Sequence, residues 1–200
     1  TLSGTASNAL ACNADGTCEI NSLATNVISK IVPIYIRGTG LNNNATRVLK
    51  IGSNTIYDTT GRGLRFTVIN KADYSILWDA TYDTYGSSTD SDLLAGNITQ
   101  WMSKNTIGIL TSYDAWEERV TTNLRNAFQK CGLTKALMTP TSPIRQPYAA
   151  IFECNTTLTS AKAVEVLVTN DVNERFAEIR GWLIDGSFVA SGDVPNSLTD

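Results

Sequence analysis

The sequence contains no histidine. That removes Ser-His-Asp and Cys-His catalytic arrangements, His-ligated zinc and imidazole-based pH switching. No run of about 18 apolar residues occurs, so no helical membrane span is expected. Sixteen Lys and Arg stand against 19 Asp and Glu, a net charge of −3, which gives no basic footprint for nucleic acid or an anionic membrane. Cys-x-x-Cys pairs are absent, so no structural zinc is expected. Asp83, Asp90 and Asp92 do not have EF-hand spacing, and no metal site is expected from them. Gly61-Arg62-Gly63 is not G-x-G-x-x-G and follows no βαβ strand, which excludes a dinucleotide cofactor. No cofactor of any kind is therefore expected.

Cysteine is scarce. Cys12 and Cys18 flank the turn-like Asn13-Ala14-Asp15-Gly16-Thr17, which fits either a small disulfide loop or two free thiols. Cys131 ends a helix pattern and Cys154 lies in an apolar strand, so both read as small buried hydrophobes. The chain opens on Thr1 without Met or an apolar leader, as expected of a mature form, a processed product or an excised fragment.

What is present is enough for a core. Hydrophobic residues make up 42% of 200 residues, which suits one domain with extensions. Residues 1–28 are small and polar and read as an arm or connector. The domain is expected over 29–168, with 169–200 a strand-rich extension packed on it. Strands are expected at Ile31–Arg37, Arg47–Ile51, Thr55–Tyr57 and Leu64–Asn70. Tyr74, Ile76, Trp78, Ala80 and Tyr82 then alternate with polar residues as a hairpin with an aromatic face. Leu94, Ile98, Trp101 and Met102 recur at helical intervals, and a short apolar strand covers Thr106–Ser112. A second helix is expected over Tyr113–Cys131, where Trp116, Val120, Leu124 and Phe128 step by four. Asp114 with Glu117 fits a capping box there, and Gly132 suits the C′ position. Trp78, Trp101 and Trp116 are expected in the core, and Trp182 at an edge. Later strands fall at Tyr148–Cys154, Ala163–Val168, Arg175–Ile184 and Phe188–Ala190. The fold class is α+β, antiparallel sheet with two helices packed on it, and lacks the regular alternation of a doubly wound sheet.

The order of motifs is informative. Gly61-Arg62-Gly63-Leu64 opens a strand, with both glycines expected at positive φ. Asp83-Thr84-Tyr85-Gly86 precedes a helix. Ser112-Tyr113-Asp114 opens the second helix, which closes at Cys131-Gly132, and Arg145-Gln146-Pro147-Tyr148 leads into an apolar strand. This series resembles the interleukin-like EMT inducer (FAM3-like) domain over about residues 31–155. The resemblance implies two antiparallel sheets, sandwich-like, with flanking helices. It also implies non-catalytic, lectin-like recognition, in which an acidic residue of the Tyr-Asp motif and the arginine of the later motif contact a sugar. The matching positions are Asp114 and Arg145, with Tyr113 and Tyr148 as stacking rings. The sequence departs from the pattern at Gln146, where Asp is typical, at Pro147, and at Tyr148, where Trp is usual. Planar, bidentate Asp and Arg groups suit carbohydrate hydroxyls. Two readings stay open at Asp114, ligand contact and helix N-cap, and Arg145 has Asp114 or Asp83 as structural partners.

The segment LSGTASNAL resembles joints between repeats of bacteriophage tail fibres, and the small, Asn/Thr/Ser/Gly-rich strands suit such fibre tips. The expected role is thus a virion tail component, extracellular in location, that binds a host-surface glycan or protein receptor. Other tail-fibre subunits and copies of this chain, in a homo-oligomer such as a trimer, are its expected partners. The alternatives are a structural spacer or oligomerisation domain, and a secreted signalling factor of the FAM3 type. The second predicts a Cys12–Cys18 disulfide and occupied sequons among Asn44, Asn97 and Asn155.

Overall fold

The computed structural model describes residues 10–12, 18–20, 31–41, 44–137, 144–154 and 161–191. The chain divides into two units, residues 1–30 and 31–200. In the first, β1 (Leu10–Cys12) and β2 (Cys18–Ile20) form an antiparallel pair. Cys12 stands directly opposite Cys18 in that ladder. Their side chains, and with them the expected disulfide, lie outside the described residues.

The second unit holds two five-stranded antiparallel sheets. The first, the central one, contains β6 (Gly63–Asn70), β7 (Ile76–Tyr82), β8 (Thr106–Tyr113), β9 (Tyr148–Glu153) and β10 (Lys162–Leu167), in the order β10-β9-β8-β6-β7. The other contains β3 (Ile31–Gly38), β4 (Arg47–Ile51), β5 (Asn54–Thr59), β11 (Ala177–Ile184) and β12 (Ser187–Ala190), in the order β12-β11-β3-β4-β5. The late strands thus return to the first one, since β11 pairs along the whole of β3. Among the described residues three helices accompany them: α1 (Ser88–Met102), α2 (Thr122–Lys130) and the single turn α3 (Thr134–Leu137). The fold is α+β and mostly strand, as the sequence predicts.

Strand alternation explains the layering. Successive side chains of a strand point to opposite faces. Leu64, Phe66 and Val68 of β6 meet Leu94 and Ile98 of α1 and Leu124 and Phe128 of α2 in one core. Ile69, Ile107, Ile109 and Ile151 point the other way, into a second core with Ile34, Ile36, Leu49 and Ile179 of the other sheet. The central sheet is covered on both faces, and β6, β8 and β9 are accordingly buried along almost their whole length, their threonines and serines included.

Several expectations need correction. The helix predicted over Tyr113–Cys131 begins only at Thr122, where the Thr121 side chain caps Leu124 N. The strand β8 runs on to Tyr113, and Asp114 turns the chain at φ 58°. Asp114 is therefore not a helix cap. The apolar stripe survives without the helix: Trp116, Leu124 and Phe128 are buried in one core, with Val120 packed against it. Periodicity marked the buried face, and tertiary contacts chose the backbone.

Cys131 and Cys154 are buried, but as a disulfide and not as free thiols, with Cα atoms 4.8 Å apart. Spacing in sequence carried no sign of this pairing, which needs the end of α2 brought to the residue after β9. Tyr74 leaves the predicted aromatic face: it takes φ 63° ahead of β7 and is buried in the core between the sheets. Trp78 is 37% exposed and so is not a core residue, because β7 is the edge strand. Trp182 is exposed, yet its strand β11 lies inside the sheet between β12 and β3.

Candidate ligand-recognition site

Four segments meet at one end of the central sheet: residues 61–63, 83–86, 113–117 and 145–148. Ladder register begins the assembly. Gly63 pairs with Tyr113, and Leu64 lies between Tyr82 and Ser112. Gly61 and Gly63 have φ 123° and 99°, the positive values the motif predicts. At Gly63 the need is also spatial, since a Cβ there would stand 2.0 Å from the Tyr82 carbonyl oxygen.

The turn 83–86 is tied to the segment after β8. The Thr84 hydroxyl donates to the Trp116 carbonyl at 2.7 Å, and Arg119 N–H donates to the Thr84 carbonyl at 2.9 Å. That segment is tied in turn to residues 145–146. Trp116 Nε1 donates to the Gln146 carbonyl at 2.8 Å. The buried Glu117 carboxylate accepts from Trp116 N and from Gln146 N, each at 2.7 Å. Burial pushes its pKa up, against these backbone bonds, which pull it down. Glu117 therefore clamps two loops together and does not serve a helix cap.

On this frame sit two carboxylate–guanidinium pairs. Arg145 Nε donates to Asp114 Oδ1 at 2.7 Å, joining residues 31 apart in sequence. Both backbones are left-handed, with φ 58° at Asp114 and 69° at Arg145, a region that non-glycine residues enter at a cost of order 1 kcal/mol. The second pair is bidentate. Arg62 donates from Nε and Nη2 to the two carboxylate oxygens of Asp83, at 2.9 and 2.6 Å. Its guanidinium also lies 5.1 Å from the Tyr85 ring centre. The Arg62 bond holds the Asp83 carboxyl below the usual carboxylate range, and Arg62 itself is raised by Asp83 and, more weakly, by Asp114. All four charged side chains are accessible, from 16% at Asp114 to 45% at Arg62.

The predicted residues separate here. Asp114 and Arg145 come together, and Asp114, not Asp83, is the partner of Arg145. Tyr113 is half-buried at the same end, with the Arg47 guanidinium 5.9 Å from its ring centre. Tyr148 is not a ligand platform: it is fully buried, its hydroxyl donates to Glu165 at 2.6 Å, and its ring packs 5.1 Å from Trp116. The cause is alternation, which turns Tyr148 into the core beneath the helices. Gly132 has φ 72°, in keeping with its place after α2.

Sequence reasoning missed Arg62, Asp83 and Tyr85 as site residues, although their motifs were in the ordered series. It also missed Arg47, a fully buried guanidinium whose Nη1 donates to the Thr111 carbonyl at 3.3 Å. Burial pulls its pKa down to about 10. Chemically, the accessible end offers planar acceptors and donors side by side. Asp114 Oδ2 and the Nη groups of Arg145 have no protein partner among the described residues, so the pair retains bonding capacity for a ligand rich in hydroxyls.

Residues 62–153 match the family model described as Interleukin-like EMT inducer. The match includes Arg62, Asp83, Asp114 and Arg145. No curated protein matches the chain.

Proposed function

We propose that this chain, whose residues 62–153 carry an interleukin-like EMT inducer domain, is a non-catalytic recognition module that binds a surface glycan or protein receptor through the Asp114–Arg145 corner. One observation carries the reading. Two charged residues far apart in sequence are brought to 2.7 Å on strained, left-handed backbone, while both remain accessible. A surface ion pair is worth roughly 0–1 kcal/mol, too little to explain two such conformations by stability alone. Observed strain of this kind supports a role in binding.

The setting we infer is a bacteriophage tail fibre, where the domain attaches the virion to its host, with other tail-fibre subunits as partners. The Asn/Thr/Ser/Gly-rich strands and the fibre-like segment LSGTASNAL support it. The Cys131–Cys154 disulfide supports an oxidising, extracellular location. Glycan-array and whole-cell binding test the reading. Asp114→Ala and Arg145→Ala should each weaken binding about tenfold, as expected when a polar partner of a ligand is removed. Unchanged binding in both variants removes this site.

A second reading, an oligomerisation unit, draws on β7. This edge strand exposes Ile76, Leu77 and Trp78 in succession, and such edges pair readily with other chains. Sedimentation of the receptor-free protein separates the two, since an assembly unit self-associates without a receptor.

A further inference from the structure

The outer face of the β12-β11-β3-β4-β5 sheet bears a second constellation that shares no residue with the Asp114–Arg145 corner. It lines an open depression of about 540 Å³. Register defines it. Trp182 of β11 stands opposite Pro33 of β3, and one row along Arg180 stands opposite Tyr35, which faces Lys50 of β4 on its other side. An aromatic–proline row thus lies beside a row of cation, ring and cation, with rows about 7 Å apart, two residues of strand rise.

The side chains are held in place. Trp182 is 41% exposed on a strand paired on both sides, so its indole is presented from rigid backbone. The Arg180 guanidinium lies 5.1 Å from the Tyr35 ring centre. The Tyr35 hydroxyl donates to Glu178, which also meets Arg180 at 3.6 Å, and burial with this bond pushes the Tyr35 pKa up to about 12. Arg180 nevertheless keeps 61% of its side chain exposed. Lys50 is exposed and has no ion pair among the described residues. Among the described residues no Asp or Glu lines the depression, although the whole chain carries a charge of −3. With Glu178, which lies beside Arg180 and Tyr35, counted, Arg180 and Lys50 still leave this patch net positive, opposite in sign to the whole chain.

We propose that this face binds an acidic polysaccharide, with a sugar ring stacked on Trp182 and its carboxylate met by Arg180 and Lys50. An exposed indole offers a flat apolar surface, and a guanidinium meets a carboxylate with two parallel bonds. Other occupants fit less well. A peptide strand needs free main-chain groups, and those of β3 and β11 are taken up in ladders on both sides. A nucleic acid strand needs a longer track of cations along its phosphates than two side chains provide.

The test uses the whole chain titrated with polygalacturonate and alginate oligosaccharides. Fully methyl-esterified polygalacturonate serves as an uncharged control, and oligothymidine and polyglutamate as other polyanions. Binding is read by calorimetry and by tryptophan fluorescence. Acidic oligosaccharides should bind, and the methyl ester at least tenfold more weakly. Trp182→Ala should weaken binding at least tenfold, and Lys50→Ala and Arg180→Ala several-fold each. Asp114→Ala should leave it unchanged, which separates this site from the one proposed above. These side chains are exposed, so the variants should keep the wild-type unfolding midpoint. The proposal is overturned if neither acidic oligosaccharide binds, if Trp182→Ala binds as well as wild type, or if the ester equals the acid. Equal or tighter binding of oligothymidine or polyglutamate overturns it too and assigns the face to another class of partner.

Discussion

Asp83 and Glu117 are carboxylates at the same end of one sheet, and their surroundings shift their pKa values in opposite directions. At Asp83 the Arg62 bonds dominate and lower the pKa. A depressed folded pKa gives stability that is present above the ordinary aspartate value and lost as pH falls through the folded value. At Glu117 burial dominates and raises the pKa. Its contribution is present below the ordinary glutamate value and is lost as pH rises through the folded value. Thermal unfolding between about pH 6 and about pH 2 should therefore show an acid-side loss of stability that flattens in Arg62→Ala. Parallel curves for wild type and Arg62→Ala would show that this pair contributes nothing. The motif series contained both Arg62 and Asp83. Their pairing was not legible, because only the turn at 83–86 and the positive φ at Gly61 and Gly63 bring them together.

At the scale of elements, the two sheets are joined beside the site by one corner. The Gly38 backbone, at the end of β3, lies against β9, and a Cβ there would stand 1.9 Å from the Tyr148 carbonyl oxygen. Thr39 N–H donates to the Ser112 carbonyl at 3.0 Å, and Tyr148 N–H donates to the Ser112 hydroxyl at 2.7 Å. Backbone cannot yield as a side chain can, so Gly38→Ala should lower stability by about 3 kcal/mol in denaturant unfolding. Gly96→Ala is the matched contrast. It lies within α1, where a Cβ would meet nothing within 4 Å, and it should raise stability by about 0.5–1 kcal/mol. Strand positions and the first helix were legible, since alternation and helical spacing are local properties. The start of α2 was not. Glu117, read as part of a capping box, is drawn instead to Trp116 N and Gln146 N.

Within the unit of residues 31–200, three layers form because the central sheet buries side chains on both faces. The Cys131–Cys154 disulfide fastens the helical layer to that sheet, linking the end of α2 to the residue after β9 across 23 positions. A loop of this length corresponds to roughly 3 kcal/mol in the chain-entropy account. The double variant Cys131→Ala, Cys154→Ala should lose about that much in denaturant unfolding and keep its strand signal in circular dichroism. A variant as stable as wild type would show that packing alone holds the layers.

Alternation of the strands, the first helix and the glycines at positive φ could all be read from local sequence. Each of these depends on residues within a few positions of one another. Asp114 and Arg145 came forward only through what the resemblance to the interleukin-like EMT inducer domain implies for those positions. Tertiary structure decided the rest: the left-handed turn at Asp114, its pairing with Arg145, the burial of Tyr148 and the disulfide between Cys131 and Cys154. All of these join segments that meet only when the sheets close, and no local preference competes with a buried tryptophan or a clamped carboxylate once they do.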